Sequence, residues 1–450
     1  MKKLFGTDGV RGKANEFPMD SETVLKLGRA AAHVLRRSEG RHRILIGKDT
    51  RVSGYMLEQA LASGITSMGV DVLLCGPLPT PGVAYMTRSM RADAGVMISA
   101  SHNPYEDNGI KFFGGDGFKL ADSTEAEIER LLGPGHLDEL RAVPDLIGKA
   151  ARIEDAIGRY TVYLKSCCDR DSKFDGLKIV LDCANGAAYR VAPLVFGELG
   201  ADIFTIGDRP DGKNINLNYG SLYPEKLAET VRERGADIGM AFDGDADRVI
   251  FCDERGQIFD GDQVLALLAF DFQARRALRG DGIVATVMSN LGLEIAMRNR
   301  GLKLYRTDVG DRYVLQEMLA CGSNLGGEQS GHVISLDHNT TGDGILTAIL
   351  VASVLVRSGK PLSSFLGLME HFPQVLLNVK VSKKKPFADL PDVQRVLRDA
   401  EQKLGDRGRV LLRYSGTEAK ARVMVECGDE VMCKSIAQEI ADTVVTSLSA

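Results

Sequence analysis

Tryptophan is absent from the 450 residues, and aromatic residues reach only 6%. A chain so poor in flat rings has little on which to stack nucleobases or a sugar polymer. Cysteine is sparse too, with eight residues at 75, 167, 168, 183, 252, 321, 427 and 433, no C-x-x-C pair and no neighbouring His that would complete a zinc set. That usage excludes a disulfide scaffold and reads mostly as small buried hydrophobes in a reducing compartment. Positive charge is not in excess: 56 Lys and Arg face 61 Asp and Glu, for a net charge of −5. A nucleic-acid partner, which needs a basic surface to neutralise phosphates, is not expected, and any anionic ligand must be met by local positive charge. Long apolar runs are missing as well. The longest, Ile345 to Val356, falls short of the roughly 18–20 residues that span a bilayer. At the start, Gly6 and Asp8 interrupt the chain before any apolar signal segment develops, so a cytoplasmic address with no membrane association is expected.

What the chain has in plenty is glycine, 49 residues, which suggests many places where backbone must turn or approach a ligand closely. At about 100–200 residues per domain the length implies several domains. Three stretches repeat one pattern of β-branched run, Gly- or Asn-bearing loop, amphipathic helix, Gly and second apolar run. They start at Ile44, Lys178 and Gly282, and their helices end before Gly69, Gly200 and Gly301. Strand, crossover helix and strand at this spacing predict parallel βαβ units, each with Gly closing its helix. After the helix expected at Thr341–Val356 and the break Ser358-Gly359-Lys360-Pro361, the pattern changes. Strands are expected at 375–381, 409–414 and 421–427, with helices near 391–404 and 430–448. The fold expected is therefore α/β: three similar α/β domains with mixed sheets, then a smaller α+β domain, around a central cleft. We place the domains at 1–147, 148–253, 254–366 and 367–450, with a linker in the Gly- and Pro-bearing stretch 132–146.

The segment IGMAFDGDADRVIF carries Asp243, Asp245 and Asp247 after an apolar strand. Alternation in extended chain points the three carboxylates to one side, where they repel unless a hard cation such as Mg²⁺ joins them. Three other readings compete: a solvated acidic turn, a calcium loop ending at Glu254, and a D-x-D phosphatase or mutase with Asp243 as aspartyl nucleophile. The calcium loop fails where it needs Gly and has Arg248. The aspartyl nucleophile is disfavoured by Asp247, a further ligand. If Asp243 only holds metal, the best phosphoryl acceptor is in GVMISASHNPYEDNGIKFF. There a strand delivers Ser101, His102 and Asn103 into a loop that Pro104 keeps out of helix, and Lys111 follows. Simple turn chemistry is the competing reading for Ser101, and a surface cation that for Lys111. LGGEQSGHVISL concentrates Glu328, Gln329, Ser330 and His332, suited to the hydroxyls of a small polar ligand. RYSGTEAKAR sets Ser415, Gly416 and Thr417 between Arg413 and Arg422, the donors a phosphate monoester needs. FGTDGVRG adds Thr7 and Arg11. With no Walker A loop and no G-x-G-x-x-G after a strand, ATP and NAD are not expected.

Taken together and in this order, GTDGVRG, SASHNP, DGDADR, GEQSGH and RYSGTE resemble the motifs of the α-D-phosphohexomutases along essentially the whole chain. The resemblance implies four domains around a cleft and an intramolecular phosphotransferase that works through a phosphoserine. Ser101 would be phosphorylated and would complete the Mg²⁺ shell of Asp243, Asp245 and Asp247, with a hexose 1,6-bisphosphate as priming intermediate. Arg11 and Arg248 would stabilise the transferring phosphoryl group. His102, Lys111 and His332 would complete the catalytic set, with Lys111 and His332 as acid and base. Glu328, Gln329 and Ser330 would bind the sugar, and Arg413, Ser415, Gly416, Thr417 and Arg422 the distal phosphate. Gln329 resembles the branch acting on glucosamine phosphates, which feeds amino-sugar nucleotide and cell-wall precursors. Relatives specific for mannose or glucose phosphates are the alternative; an aspartyl-phosphate enzyme or a metal-dependent sugar-phosphate-binding protein would be a different class. A small hexosamine phosphate is the expected partner, and the sequence leaves a homodimer open.

Overall fold

The computed structural model describes residues 4–6, 8–36, 40–133, 135–168, 173–414 and 419–449. Four sheets follow one another along the chain. The first has seven strands in the order Phe5–Gly6, Gly9–Lys13, Asp107–Gly114, Ala94–Ile98, Arg43–Lys48, Asp71–Pro77, Ala150–Arg152. Its Arg43–Lys48 strand pairs in parallel with both neighbours, and antiparallel strands fill the other side. The last strand pairs in parallel with Asp71–Pro77 at the edge of this sheet. The second sheet has five strands, with Lys178–Asp182 parallel to both Ile238–Phe242 and Asp202–Ile206. The third has four, built on the parallel pair Gly282–Thr286 and Lys303–Thr307. The fourth is an antiparallel trio, Gln374–Lys380, Lys420–Cys427 and Gly408–Tyr414, backed by the helices Pro391–Leu404 and Glu430–Ser449.

The three repeated units take their expected form. Gly69, Gly200 and Gly301 lie just past their helices at φ of 81°, 98° and 70°, where a Cβ would be strained. The apolar run at 345–356 becomes the helix Gly344–Ser358, started by the Asp343 side chain accepting from Leu346 N. It is apolar because it is buried between domains. No single helix among the described residues is long and apolar enough to cross a membrane. One continuous core runs from Leu45 through Phe196 and Phe251 to Met369 and so ties the first three domains together, whereas the fourth packs around its own cluster, including Val393, Val423 and Ile440. Cys427 and Cys433 lie against each other in that cluster, and Cys75, Cys183 and Cys252 are buried as expected.

Candidate active site

Two wholly buried strands, Ala94–Ile98 and Ile238–Phe242, end side by side at the C-terminal edges of the first two sheets, the edge at which open α/β sheets present loops to ligands. From the first comes Ser101, buried and held at φ 52°. Its Oγ donates to Asp243 Oδ2 at 2.6 Å and lies 3.2 Å from His102 Nδ1. From the second come Asp243, Asp245 and Asp247, all buried, with one oxygen of each within 4.8 Å of the others. Their convergence does not come from extended alternation. Residues 243–247 form a turn, with Ala246 at φ 56° and its amide donating to Asp243 O. Gly244 lets this turn press on the serine loop: a Cβ there would meet Ser101 O at 2.5 Å. The calcium-loop reading is excluded, because Glu254 follows the strand Val249–Asp253 and receives Ser363 N at 3.3 Å.

Three carboxylates this close cannot all ionise unaided. Burial, then Asp247 and Asp245, push Asp243 well above the usual carboxylate range. At Asp247 burial acts the same way, but Lys111, His332 and Arg248 outweigh it and hold the group below its ordinary value. Asp245 Oδ1 and Asp247 Oδ1 are buried without a hydrogen-bond partner, while Asp245 Oδ2 accepts from Thr80 Oγ1 at 2.6 Å and Lys111 Nζ at 3.0 Å. Hard oxygens, two of them unsatisfied and converging, fit a divalent cation such as Mg²⁺.

Lys111 is buried and so is not a surface cation. Burial depresses its pKa, but Asp245, Asp8 and Asp247 more than reverse this and keep it charged. It opens a closed ring of acidic and basic side chains. Asp8 lies 3.2 Å from Lys111 Nζ and 2.6 Å from Lys119 Nζ; Lys119 is 2.5 Å from Asp311, Asp311 is 3.7 Å from His332 Nε2, and Asp247 is 3.7 Å from both His332 Nδ1 and Lys111. His332 Nε2 accepts from Gly342 N at 3.2 Å, so the Nδ1 proton faces Asp247. Burial, then Arg248 and Arg11, push His102 down to about 4, leaving its imidazole neutral near pH 7. Arg11 pairs with Asp8, and Arg248 Nε lies 3.8 Å from Asp247.

Glu328 and Gln329 are half-buried and Ser330 exposed, on the loop between the strands Leu325–Gly327 and Val333–Ser335. Glu328 accepts from Gly310 N at 3.2 Å, and Gln329 Nε2 donates to Asp260 Oδ2 at 3.2 Å, which leaves the amide oxygen as the free end. In the last domain Arg413 and Arg422 are cross-strand partners. Like charges placed opposite each other repel, and burial with Arg422 lowers the pKa of Arg413; an anion between them relieves both. Thr7, Ser415, Gly416 and Thr417 lie outside the described residues. Sequence reasoning missed Thr80, Asp8, Lys119 and Asp311, which reach the site from distant segments. It also missed Asp49, Arg51 and Asn216 beneath the serine loop. The run Lys48-Asp49-Thr50-Arg51 closing a buried parallel strand was the available signal.

A buried serine against an acidic triad, and three α/β layers before a smaller antiparallel one, are the arrangement of a phosphohexomutase. Four successive segments match the phosphoglucomutase/phosphomannomutase family: residues 2–135 its α/β/α domain I, 158–256 domain II, 260–372 domain III and 376–443 its C-terminal domain. The chain belongs to this family. It is 59% identical over 444 residues to a phosphoglucosamine mutase of Syntrophotalea carbinolica, covering 98% of this chain and 97% of that one. It is 57% identical to the phosphoglucosamine mutase of Myxococcus xanthus, covering 100% and 98%. In fold it is similar to a phosphoglucomutase/phosphomannomutase family protein from Burkholderia thailandensis, with TM-score 0.83, 24% identity and coverage of 99% and 98%. An Aspergillus fumigatus N-acetylphosphoglucosamine mutase, solved with GlcNAc-6P and magnesium, aligns at TM-score 0.69 and 18% identity over 99% and 96%.

Proposed function

We propose that this chain interconverts glucosamine 6-phosphate and glucosamine 1-phosphate through a phosphorylated Ser101 and a 1,6-bisphosphate. The carrying observation is the 2.6 Å contact between Ser101 Oγ and Asp243 across the boundary of the first two domains. Similarity to phosphoglucosamine mutases over nearly the whole chain supports the substrate. Asp243, Asp245 and Asp247, with a phosphate oxygen on Ser101, would hold Mg²⁺, whose charge when bound neutralises the phosphoryl oxygens.

In the first half-reaction the Ser101 Oγ–P bond breaks as a free sugar hydroxyl bonds to phosphorus, and the hydroxyl loses its proton as Oγ gains one. After the bisphosphate reorients, Ser101 Oγ attacks the other phosphorus, and the proton returns to the departing sugar oxygen. Lys111, a charged donor buried beside the triad, and His332 serve as the acid–base pair. Neutral His102 stands with Nδ1 3.2 Å from the serine Oγ. Arg11 and Arg248 meet the equatorial oxygens. Glu328, Gln329 and Ser330 hold the sugar hydroxyls and amine. Arg413, Arg422, Ser415, Gly416 and Thr417 grip the phosphate that is not reacting, in either orientation.

The test is to expose the enzyme to radiolabelled glucose 1,6-bisphosphate, map the labelled peptide, and assay turnover of glucosamine, glucose and mannose phosphates with and without EDTA. Label on Ser101 that survives acid and hydroxylamine, a preference for glucosamine 6-phosphate, and loss of turnover on chelation restored by Mg²⁺ are expected. Label on Asp243 or indifference to EDTA defeats the mechanism, and equal turnover of all three sugars defeats the substrate.

A further inference from the structure

We propose that Arg51 and Asn216 form a clamp, one jaw from each of the first two domains, that positions the serine loop for phosphoryl transfer. The inference rests on the reading of Ser101 as the phosphoryl carrier. Both are positioning residues, because their polar atoms contact backbone carbonyls and not the reacting oxygen.

Arg51 is fully buried at the end of the strand Arg43–Lys48. An ordinary buried ion pair with Asp49 needs only its Nε, at 2.8 Å. The rest of the guanidinium is spent entirely on the serine loop: one terminal nitrogen donates to Ser101 O at 2.9 Å and Asn103 O at 2.8 Å, the other to Pro104 O and to Asp107 O at 3.1 Å. Asp49 completes the grip, since Oδ2 also accepts from Ser99 Oγ at 2.6 Å, and that Oγ accepts from Ser101 N at 2.9 Å. A planar fork can hold several carbonyls in fixed relative positions, which a lysine ammonium cannot.

A second donor repeats two of the contacts from the other domain. Asn216 Nδ2 donates to Ser101 O at 2.9 Å and to Asn103 O at 3.0 Å. Asn216 lies at φ 59° in the loop after Asp202–Ile206, and its own amide donates to Ala184 O at 2.8 Å, so it is anchored in the second domain. That domain also carries the aspartate turn, and a Cβ on Gly244 would meet both Ser101 O at 2.5 Å and Asn216 Nδ2 at 2.8 Å. Serine loop, aspartate turn and Asn216 are thus packed against one another with no slack. The clamp holds Ser101 in a left-handed conformation uncommon for a residue with a Cβ and fixes its Oγ relative to Asp243 across the domain boundary. In-line transfer is sensitive to misplacement of about 1 Å.

The experiment uses the full chain as wild type, Asn216→Ala and Arg51→Lys. Each is labelled on Ser101 with radiolabelled glucose 1,6-bisphosphate and mixed with glucosamine 6-phosphate in a single turnover. The rate constant per labelled enzyme is read beside the Kd for glucosamine 6-phosphate and the melting temperature. A fall of about 10- to 100-fold in transfer rate for Asn216→Ala, with Kd unchanged, and at least as large a fall for Arg51→Lys, is expected. A merely structural role lowers the labelled fraction and the melting temperature but leaves the rate per labelled molecule alone; that result, or wild-type transfer in Asn216→Ala, overturns the clamp. Asn216→Ala carries the test if Arg51→Lys does not fold. Wild type that takes no label on Ser101 fails at an earlier step and removes the parent reading together with the clamp.

Discussion

The first three domains and the fourth are built on different terms. One core reaches through all of the former, beside a second cluster on the other face of the first sheet, and the serine, the aspartates, Lys111 and His332 are buried. The fourth has its own core and leans on the third chiefly through polar contacts. Arg409 donates to Val287 O at 2.9 Å and to Ser289 O at 2.6 Å. On the proposed reading, the groups that would break and make bonds lie in the shared core, and the grip on the distal phosphate lies on a domain with a core of its own, the kind of division that permits movement as a unit.

The comparison is broken most directly by separating chemistry from binding. Ser101→Ala strikes the rigid block: interconversion is expected to fall about 10³-fold or more, while glucosamine 6-phosphate still binds and the melting temperature stays near wild type. Kinetics and calorimetry on one preparation check this. Arg413→Ala strikes the mobile part and inverts the pattern. Loss of a charge-assisted contact of about 1.5–3 kcal/mol raises KM by about 10- to 100-fold with label transfer onto Ser101 retained, and a variant that instead stops labelling altogether contradicts the division of labour. Gln329→Met, which removes an amide oxygen oriented by Asp260, narrows the preference for glucosamine over glucose phosphate by about 10-fold, about the worth of one hydrogen bond, as competition between the two sugars would reveal.

The smallest effect is on stability alone. Asp182 accepts from Gly220 N at 2.7 Å and Ala184 N at 2.9 Å, and burial raises its pKa from 3.8 to about 6. A folded pKa above the unfolded one means that the folded state holds the proton more tightly. Its contribution is complete below about pH 4 and is lost as pH rises through about 6. Melting temperatures of Asp182→Asn should therefore decline less between pH 5 and 7 than those of wild type; parallel curves would refute the assignment.

Much of this was legible in the sequence, and for a physical reason. Each loop that closes a buried strand carries its reactive groups within a few residues, so Ser101, the three aspartates, the Glu328 loop and the strands bearing Arg413 and Arg422 announce themselves locally. The repeat of strand, helix and Gly fixed three layers before any coordinate was known. What stayed hidden is everything assembled across distance. Thr80 meets Asp245 over a separation of 165 residues and Lys119 meets Asp311 over 192. The shape of the aspartate turn was also missed, because Ala246 at φ 56° carries no residue-type signal for a left-handed conformation. The short strand Ala150–Arg152 was missed because it is exposed throughout, and exposed strands lack the apolar alternation by which strands are read.

One consequence follows from the ammonium of Lys111 lodged among Asp8, Asp245 and Asp247. An acidic nest that already contains a built-in counterion does not have to wait for a dissolved one before the surrounding walls can close. On the proposed reading the polypeptide would reach its native shape first and acquire its cation afterwards, which would make loading a reversible, concentration-governed event in the life of a finished protein and not a step in its birth.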